Sequence, residues 1–159
     1  MYSLRPLGPE HEQAVLAFET ENRDYFRRFV SDRGDDYFVN YSQRHRALLI
    51  EQAAGVCAFH VLVDEDGSVV GRFNLYDLAD GSAEVGYRIA ESVAGDGVAT
   101  SAVLELCRIA RDDHALTELT AEVSDTNVGS RRVLEKAGFV LEGPTEVAGR
   151  PALAYRRGL

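Results

Sequence analysis

VGYRIAESVAGDGVATSAVLELCRIARDDHALTELTAEVSDTNVGSRRVLEKAGF, residues 85–139, decides the fold. It reads as a strand, a glycine-rich turn, a helix, a second strand and a second helix opened by Asn127. Gly95, Gly97 and Ala99 fall where the first helix begins. Small residues there leave unpaired backbone N–H groups bare at the positive end of the helix dipole, where an anion such as a pyrophosphate can sit. Ala99, Val103, Leu106 and Ala110 then make one apolar stripe, and residues 119–124 alternate as the next strand. A strand–helix–strand unit of this kind places residues 82–90 and 119–124 in one sheet with a right-handed crossover.

Outward from this core, residues 2–7 alternate weakly and predict a first strand, and residues 9–18 a helix with Pro9 near its first turn. Residues 22–54 read as mostly helical, with a break at Gly34. Residues 56–63, 69–78 and 82–90 read as three strands joined by Asp64-Glu65-Asp66-Gly67 and Asp80-Gly81, an antiparallel meander. Residues 140–143 and 152–156 are the last strands. The expected class is α/β (α+β), with a mixed sheet of about six to seven strands, about four helices and a single domain over 1–159.

Composition narrows the function. A chain of 159 residues, 45% hydrophobic, can bury one substantial core. No stretch approaches the roughly 20 apolar residues of a membrane span and the first residues lack a signal peptide's apolar run, so a cytoplasmic location without membrane partners is expected. Cys57 and Cys107 lie in apolar segments and read as free thiols, and no metal-ligand spacing appears. The net charge of −9 argues against nucleic acid as a partner and suits a cationic one.

The downstream half of the quoted stretch, Asn127, Ser130, Val133, Leu134, Glu135, Lys136, Gly138 and Phe139, forms the series NxxSxxVLEKxGF. Together with Gly95-x-Gly97-x-Ala99 it resembles the acetyl-CoA-binding core of GNAT-type N-acetyltransferases, in particular the branch that acetylates the N-termini of ribosomal proteins. A dinucleotide-binding domain fits less well, because Thr100 replaces its third glycine and NxxSxxVLEKxGF has no role there.

The resemblance implies that residues 82–90 and 119–124 splay apart around the pantetheine arm. Main-chain groups of Tyr87, Arg88 and Ile89 would hold that arm, and Gly95, Asp96, Gly97, Val98, Ala99 and Thr100 would seat the pyrophosphate. Asn127 would hold the cofactor arm, Arg132 would approach the cofactor, and Ser130 would lie near the CoA sulfur. Two positions of the glycine-rich turn depart from the family pattern, and one further position lies in the second helix. Ala94 has lost a polar side chain, and Asp96 stands where a basic residue is common. Leu134 occupies the place of the Tyr with which many members protonate the thiolate.

The implied activity is transfer of acetyl from acetyl-CoA to a primary amine, of a peptide N-terminus or a small molecule, without a covalent acyl-enzyme. A homodimer is compatible with this reading. An alkyl amine with a pKa near 10 must lose a proton before it attacks. Glu84, in the central strand, is the expected base, with Glu122, His60 and His114 as alternatives. The acceptor would meet residues 22–46, where Tyr25, Phe26, Phe29, Tyr37, Phe38 and Tyr41 accompany Asp24, Asp32, Asp35 and Asp36, a mixture suited to a cation. The alternative is a non-catalytic acyl-CoA-binding module with a degenerate pyrophosphate seat.

Overall fold

In the computed structural model, seven strands hydrogen-bond in the order β1-β2-β3-β4-β5-β7-β6. The chain divides into two units. One comprises Met1–Asn74 with Tyr87–Val93, the other Leu75–Gly86 with Ala94–Leu159.

In the first unit, β1 (Ser3–Pro6) pairs antiparallel with β2 (Ala58–Val63), Ser3 opposite Val63. A 3-10 turn at Pro9–His11 leads into α1 (Glu12–Glu21). Residues 22–54 carry three helices: α2 (Arg23–Phe26), α3 (Asp35–Val39) and α4 (Tyr41–Ala53). The break at Gly34 is as expected, since its φ of 88° suits a residue without a side chain. With the further breaks the helices number six, where about four are expected. At these breaks Asn22 and Asn40 leave the helical conformation without a side-chain cap, and the Asn22 side chain instead donates to Phe18 O and accepts from Glu91 N. Val15, Phe18, Leu48, Phe59, Val61 and Phe73 are buried in the interior of this unit.

β3 (Val69–Ala79) and β4 (Ser82–Ile89) are joined by Asp80-Gly81, whose φ values of 53° and 77° are those of a tight type I′ hairpin. A two-residue turn can join only antiparallel neighbours, in keeping with the expected meander.

In the second unit, α5 (Val98–His114) carries β4 to β5 (Glu118–Ser124), and the two strands run parallel as the strand–helix–strand pattern requires. Their register begins at Ser82 opposite Glu118 and ends at Val85 opposite Ala121, whereas β5 stays paired with β7 through Ser124. α5 buries Ala99, Val103, Leu106 and Ala110, the stripe read from the sequence, and with them Ala102, Cys107 and Ile109. α6 (Val128–Lys136) follows. β6 (Val140–Val147) and β7 (Arg150–Gly158) are longer than the sequence suggests. Ala148 and Gly149, both at positive φ, make a second tight hairpin that extends the pairing.

Candidate active site

The N-terminus of α5 is the first element of the site. Gly97 caps the helix at φ 77° and ψ 0°, Gly95 lies at φ 85°, and no side chain bonds the helix end. The first closing bond runs from Ser101 N to Gly97 O at 3.1 Å, so the N–H groups of Val98, Ala99 and Thr100 precede the ladder. A Cβ on Gly95 or Gly97 would meet nothing within 4 Å, so these glycines serve the left-handed backbone and not a crowded neighbour. Asp96 lies exposed between them.

α6 opens in the way the sequence indicates. The Asn127 side-chain oxygen accepts a hydrogen bond from Ser130 N at 3.1 Å, an N-cap that fixes the first turn and holds Ser130 half-buried. Arg132 is exposed and Leu134 is 1% exposed. An aliphatic side chain sealed in the core donates no proton.

Glu84 sits on β4 and is half-buried. Burial, with repulsion from Glu122 and Asp77, holds its carboxyl above the usual carboxylate range. A carboxylate made more basic in this way is better matched to accepting a proton near neutral pH. Glu122 is exposed and acts on Glu84 as a like charge. Of the other candidates, His114 is exposed at the end of α5. His60 is 4% exposed, with Nδ1 3.1 Å from the Phe73 carbonyl, and belongs to the sheet interior.

In the first unit, Tyr87, Arg88 and Ile89 complete β4 beyond its last pair with β5. The Tyr87 ring stacks on Phe73, with centroids 5.3 Å apart. The Arg88 side chain turns to a residue the sequence reading missed. Glu19 on α1 is 1% exposed and binds three guanidinium groups: Arg33 through Nε at 2.9 Å and Nη2 at 3.2 Å, Arg72 through Nη1 at 2.8 Å, and Arg88 through Nη1 at 3.2 Å. Burial by itself would push the Glu19 carboxyl up. The Arg33 hydrogen bonds and the three positive charges outweigh it and hold the carboxyl down. A signal was present, because Val15, Phe18, Glu19 and Asn22 share one face of a helical repeat, so an acid falls on the apolar stripe.

Three of the four acids read as amine ligands are already engaged. Asp32 accepts both arms of Arg23 at 2.9 and 2.7 Å, Asp35 takes Arg23 at 2.9 Å, and Asp24 takes Arg27 at 3.3 Å. The Arg23 hydrogen bonds, against a smaller effect of burial, hold Asp32 well below the usual carboxylate range. The aromatics are engaged as well, since guanidinium groups lie over Phe38 (Arg23, 4.2 Å), Tyr37 (Arg33, 4.7 Å) and Phe26 (Arg88, 4.8 Å). Between them lies a narrow cleft lined by Glu19, Arg23, Phe26, Arg27, Arg33 and Arg88 among others. The expectation of an acidic, cation-seeking pocket is therefore corrected for this segment, because three of its four acids neutralise arginines.

Residues 3–140 match the family model described as an acetyltransferase (GNAT) domain. The chain belongs to the GNAT acetyltransferase family. It is 32% identical over 146 residues, 88% of its own length and 81% of the other's, to YjcK of Bacillus subtilis (strain 168), described as a probable N-acetyltransferase. Among solved structures it is similar to the ribosomal-protein-S5-alanine acetyltransferase from Vibrio fischeri, with a TM-score of 0.91 and 19% identity over 99% of this chain and 92% of that one. It is also similar to Mycobacterium smegmatis RimJ in complex with CoA-disulfide, with a TM-score of 0.87 and 24% identity over 99% of this chain and 81% of that one. The fold is thus the GNAT fold, and the chain is an acetyltransferase by family. No group of His, Cys, Asp or Glu is placed to hold a metal ion, and no helix is long and apolar enough to cross a membrane.

Proposed function

We propose that this GNAT enzyme transfers acetyl from acetyl-CoA to a primary amine by direct attack, working in the cytoplasm as one acetyltransferase domain over residues 1–159. The family match runs from residue 3 to 140, through segments of both units, and supports treating them as one functional domain. The observation that carries the reading is the uncapped, glycine-shaped start of α5 in a chain of this family. Its free N–H groups suit the pyrophosphate of a CoA thioester, and CoA is the ligand named for the RimJ structure.

Gly95, Asp96, Gly97, Val98, Ala99 and Thr100 form the pyrophosphate seat in this reading. Main-chain groups of Tyr87, Arg88 and Ile89 hold the pantetheine, with Asn127 and Arg132 contributing from α6. Glu84 takes the proton of the ammonium, directly or through water. The amine lone pair then forms a C–N bond to the thioester carbonyl carbon as the C–S bond breaks. The thiolate leaves beside Ser130 and takes up a proton to give CoA. A thiol with a pKa of about 8.5 departs readily, so the loss of a Tyr at Leu134 is tolerable. Holding both reactants in place supplies more of the rate than proton transfer does.

Thermal unfolding of the full chain with acetyl-CoA or NAD, together with thiol release in the presence of amines, tests the proposal. Acetyl-CoA should raise the midpoint and NAD should not. Gly97→Val should abolish the shift, whereas Gly97→Asn, which tolerates a left-handed backbone, should keep part of it. Stabilisation by acetyl-CoA without thiol release for any amine would favour the non-catalytic binding module.

A further inference from the structure

The charges inside the first unit do not balance. Arg33, Arg72 and Arg88 converge on Glu19 alone, leaving two positive charges in excess around a carboxylate that is 1% exposed. Buried charge is ordinarily paired, since desolvating an unmatched ion costs several kcal/mol. Arg72 is sealed from solvent at 5% exposure and also donates to the Tyr37 hydroxyl at 3.1 Å. Arg33 and Arg88 instead line the cleft, with 28% and 21% of their side-chain surface exposed. At its rim Arg23 and Arg27 are matched by Asp24, Asp32 and Asp35, two of which are almost fully exposed and screened by water. The unmatched positive charge therefore faces the cleft from within.

We propose that the acceptor amine carries its own carboxylate, and that Arg33 and Arg88 bind it in this cleft. The substrate class is then amino acids, or peptides whose first residue presents a carboxylate. This deepens the acetyl-transfer reading and rests on it.

Three observations shape the proposal. The guanidinium groups of Arg33 and Arg88 lie over the rings of Tyr37 and Phe26, which fixes their planes before a ligand arrives. Arg88 engages Glu19 through Nη1 alone, so its remaining donors suit a forked carboxylate contact. Burial, then repulsion by Arg33, works against the charge on Arg88 despite Glu19, as expected of a site short of one anion. Arg88 also belongs to the β4 segment assigned to pantetheine, so a carboxylate held by its side chain keeps the acceptor beside the thioester arm.

The test is thiol release from acetyl-CoA with L-leucine, L-leucinamide and L-isoglutamine, which carry an α-carboxylate, none, and a side-chain carboxylate only. A carboxylate-bearing amine should be favoured over leucinamide by about ten- to a hundredfold in kcat/KM, the worth of a charged hydrogen-bonded pair. Whichever of leucine and isoglutamine is the better substrate shows which carboxylate is read. Arg88→Gln should collapse the preference and Arg88→Lys should retain only part of it. Because Arg33 and Arg72 still satisfy Glu19, neither variant should lower the unfolding midpoint of the free protein. Equal rates for leucine and leucinamide would overturn the inference and leave acetyl transfer intact. If no amine supports release, calorimetry with N-acetyl-leucine and N-acetyl-leucinamide decides it: tighter binding of the carboxylate that Arg88→Gln removes upholds the anion site, and equal binding refutes it.

Discussion

Arg72 and Glu19 meet in the interior of the first unit, Nη1 donating to Oε2 at 2.8 Å across 53 residues of sequence, with both side chains withdrawn from water. Breaking such a pair by neutralising one partner is costly, because the guanidinium groups that remain keep their charge. Glu19→Gln should lower stability at pH 7 by about 3–5 kcal/mol. The Glu19 carboxyl is held below its ordinary range. Its contribution is therefore complete above the unfolded value of about 4.3 and is lost as the pH falls through the lower folded one. Urea unfolding of both proteins at pH 7 and in acid should show the gap between them closing in acid. A gap that stays constant would mean that Glu19 acts through packing and not through its charge.

Glu84 carries the opposite shift. Its carboxyl is raised by burial and by Glu122 and Asp77, so the unfolded chain ionises it first. It therefore subtracts stability progressively as the pH climbs from about 4.3 to the raised folded value. Glu84→Gln should be slightly more stable than the parent at pH 7 and no more stable near pH 4. As the general base it should also cost roughly 10²–10⁴-fold in turnover. The acid limb of the kcat/KM profile, lying above the usual glutamate range in the parent, should vanish in the variant. A variant with full turnover would pass the role to Glu122 or to water.

Asp96 lies exposed between two left-handed glycines at the proposed phosphate seat. A like charge a few ångströms from a pyrophosphate costs on the order of 1 kcal/mol near a surface, so Asp96→Arg should tighten acetyl-CoA by about tenfold. Screening should shrink that gain as salt rises. Dissociation constants at two salt concentrations would measure it. An affinity that does not change would mean that residue 96 faces away from the phosphates.

What the amino-acid order determined on its own is local. The spacing of Ala99, Val103, Leu106 and Ala110 set the buried face of α5, Gly95 and Gly97 set its uncapped start, and Asn127 set the start of α6. Each depends on backbone preferences and periodicities that act over a few neighbouring residues. Even the parallel pairing of β4 with β5 follows from a helix-length connection between two strands. The breaks that divide residues 22–54 into two short helices and a longer one were harder to read, because four- and five-residue helices leave too few turns for a periodicity.

Only the tertiary structure decided the charge of the proposed acceptor cleft. In sequence, Asp24, Asp32, Asp35 and Asp36 among aromatics look like a seat for a cation, and Glu19, Arg72 and Arg88 lie too far apart to be read together. Folding brings three arginines onto one glutamate and pairs most of those aspartates with Arg23 and Arg27. The sign of a pocket is the sum over side chains from distant segments, weighted by how far each is withdrawn from water, and neither quantity exists until the chain has folded.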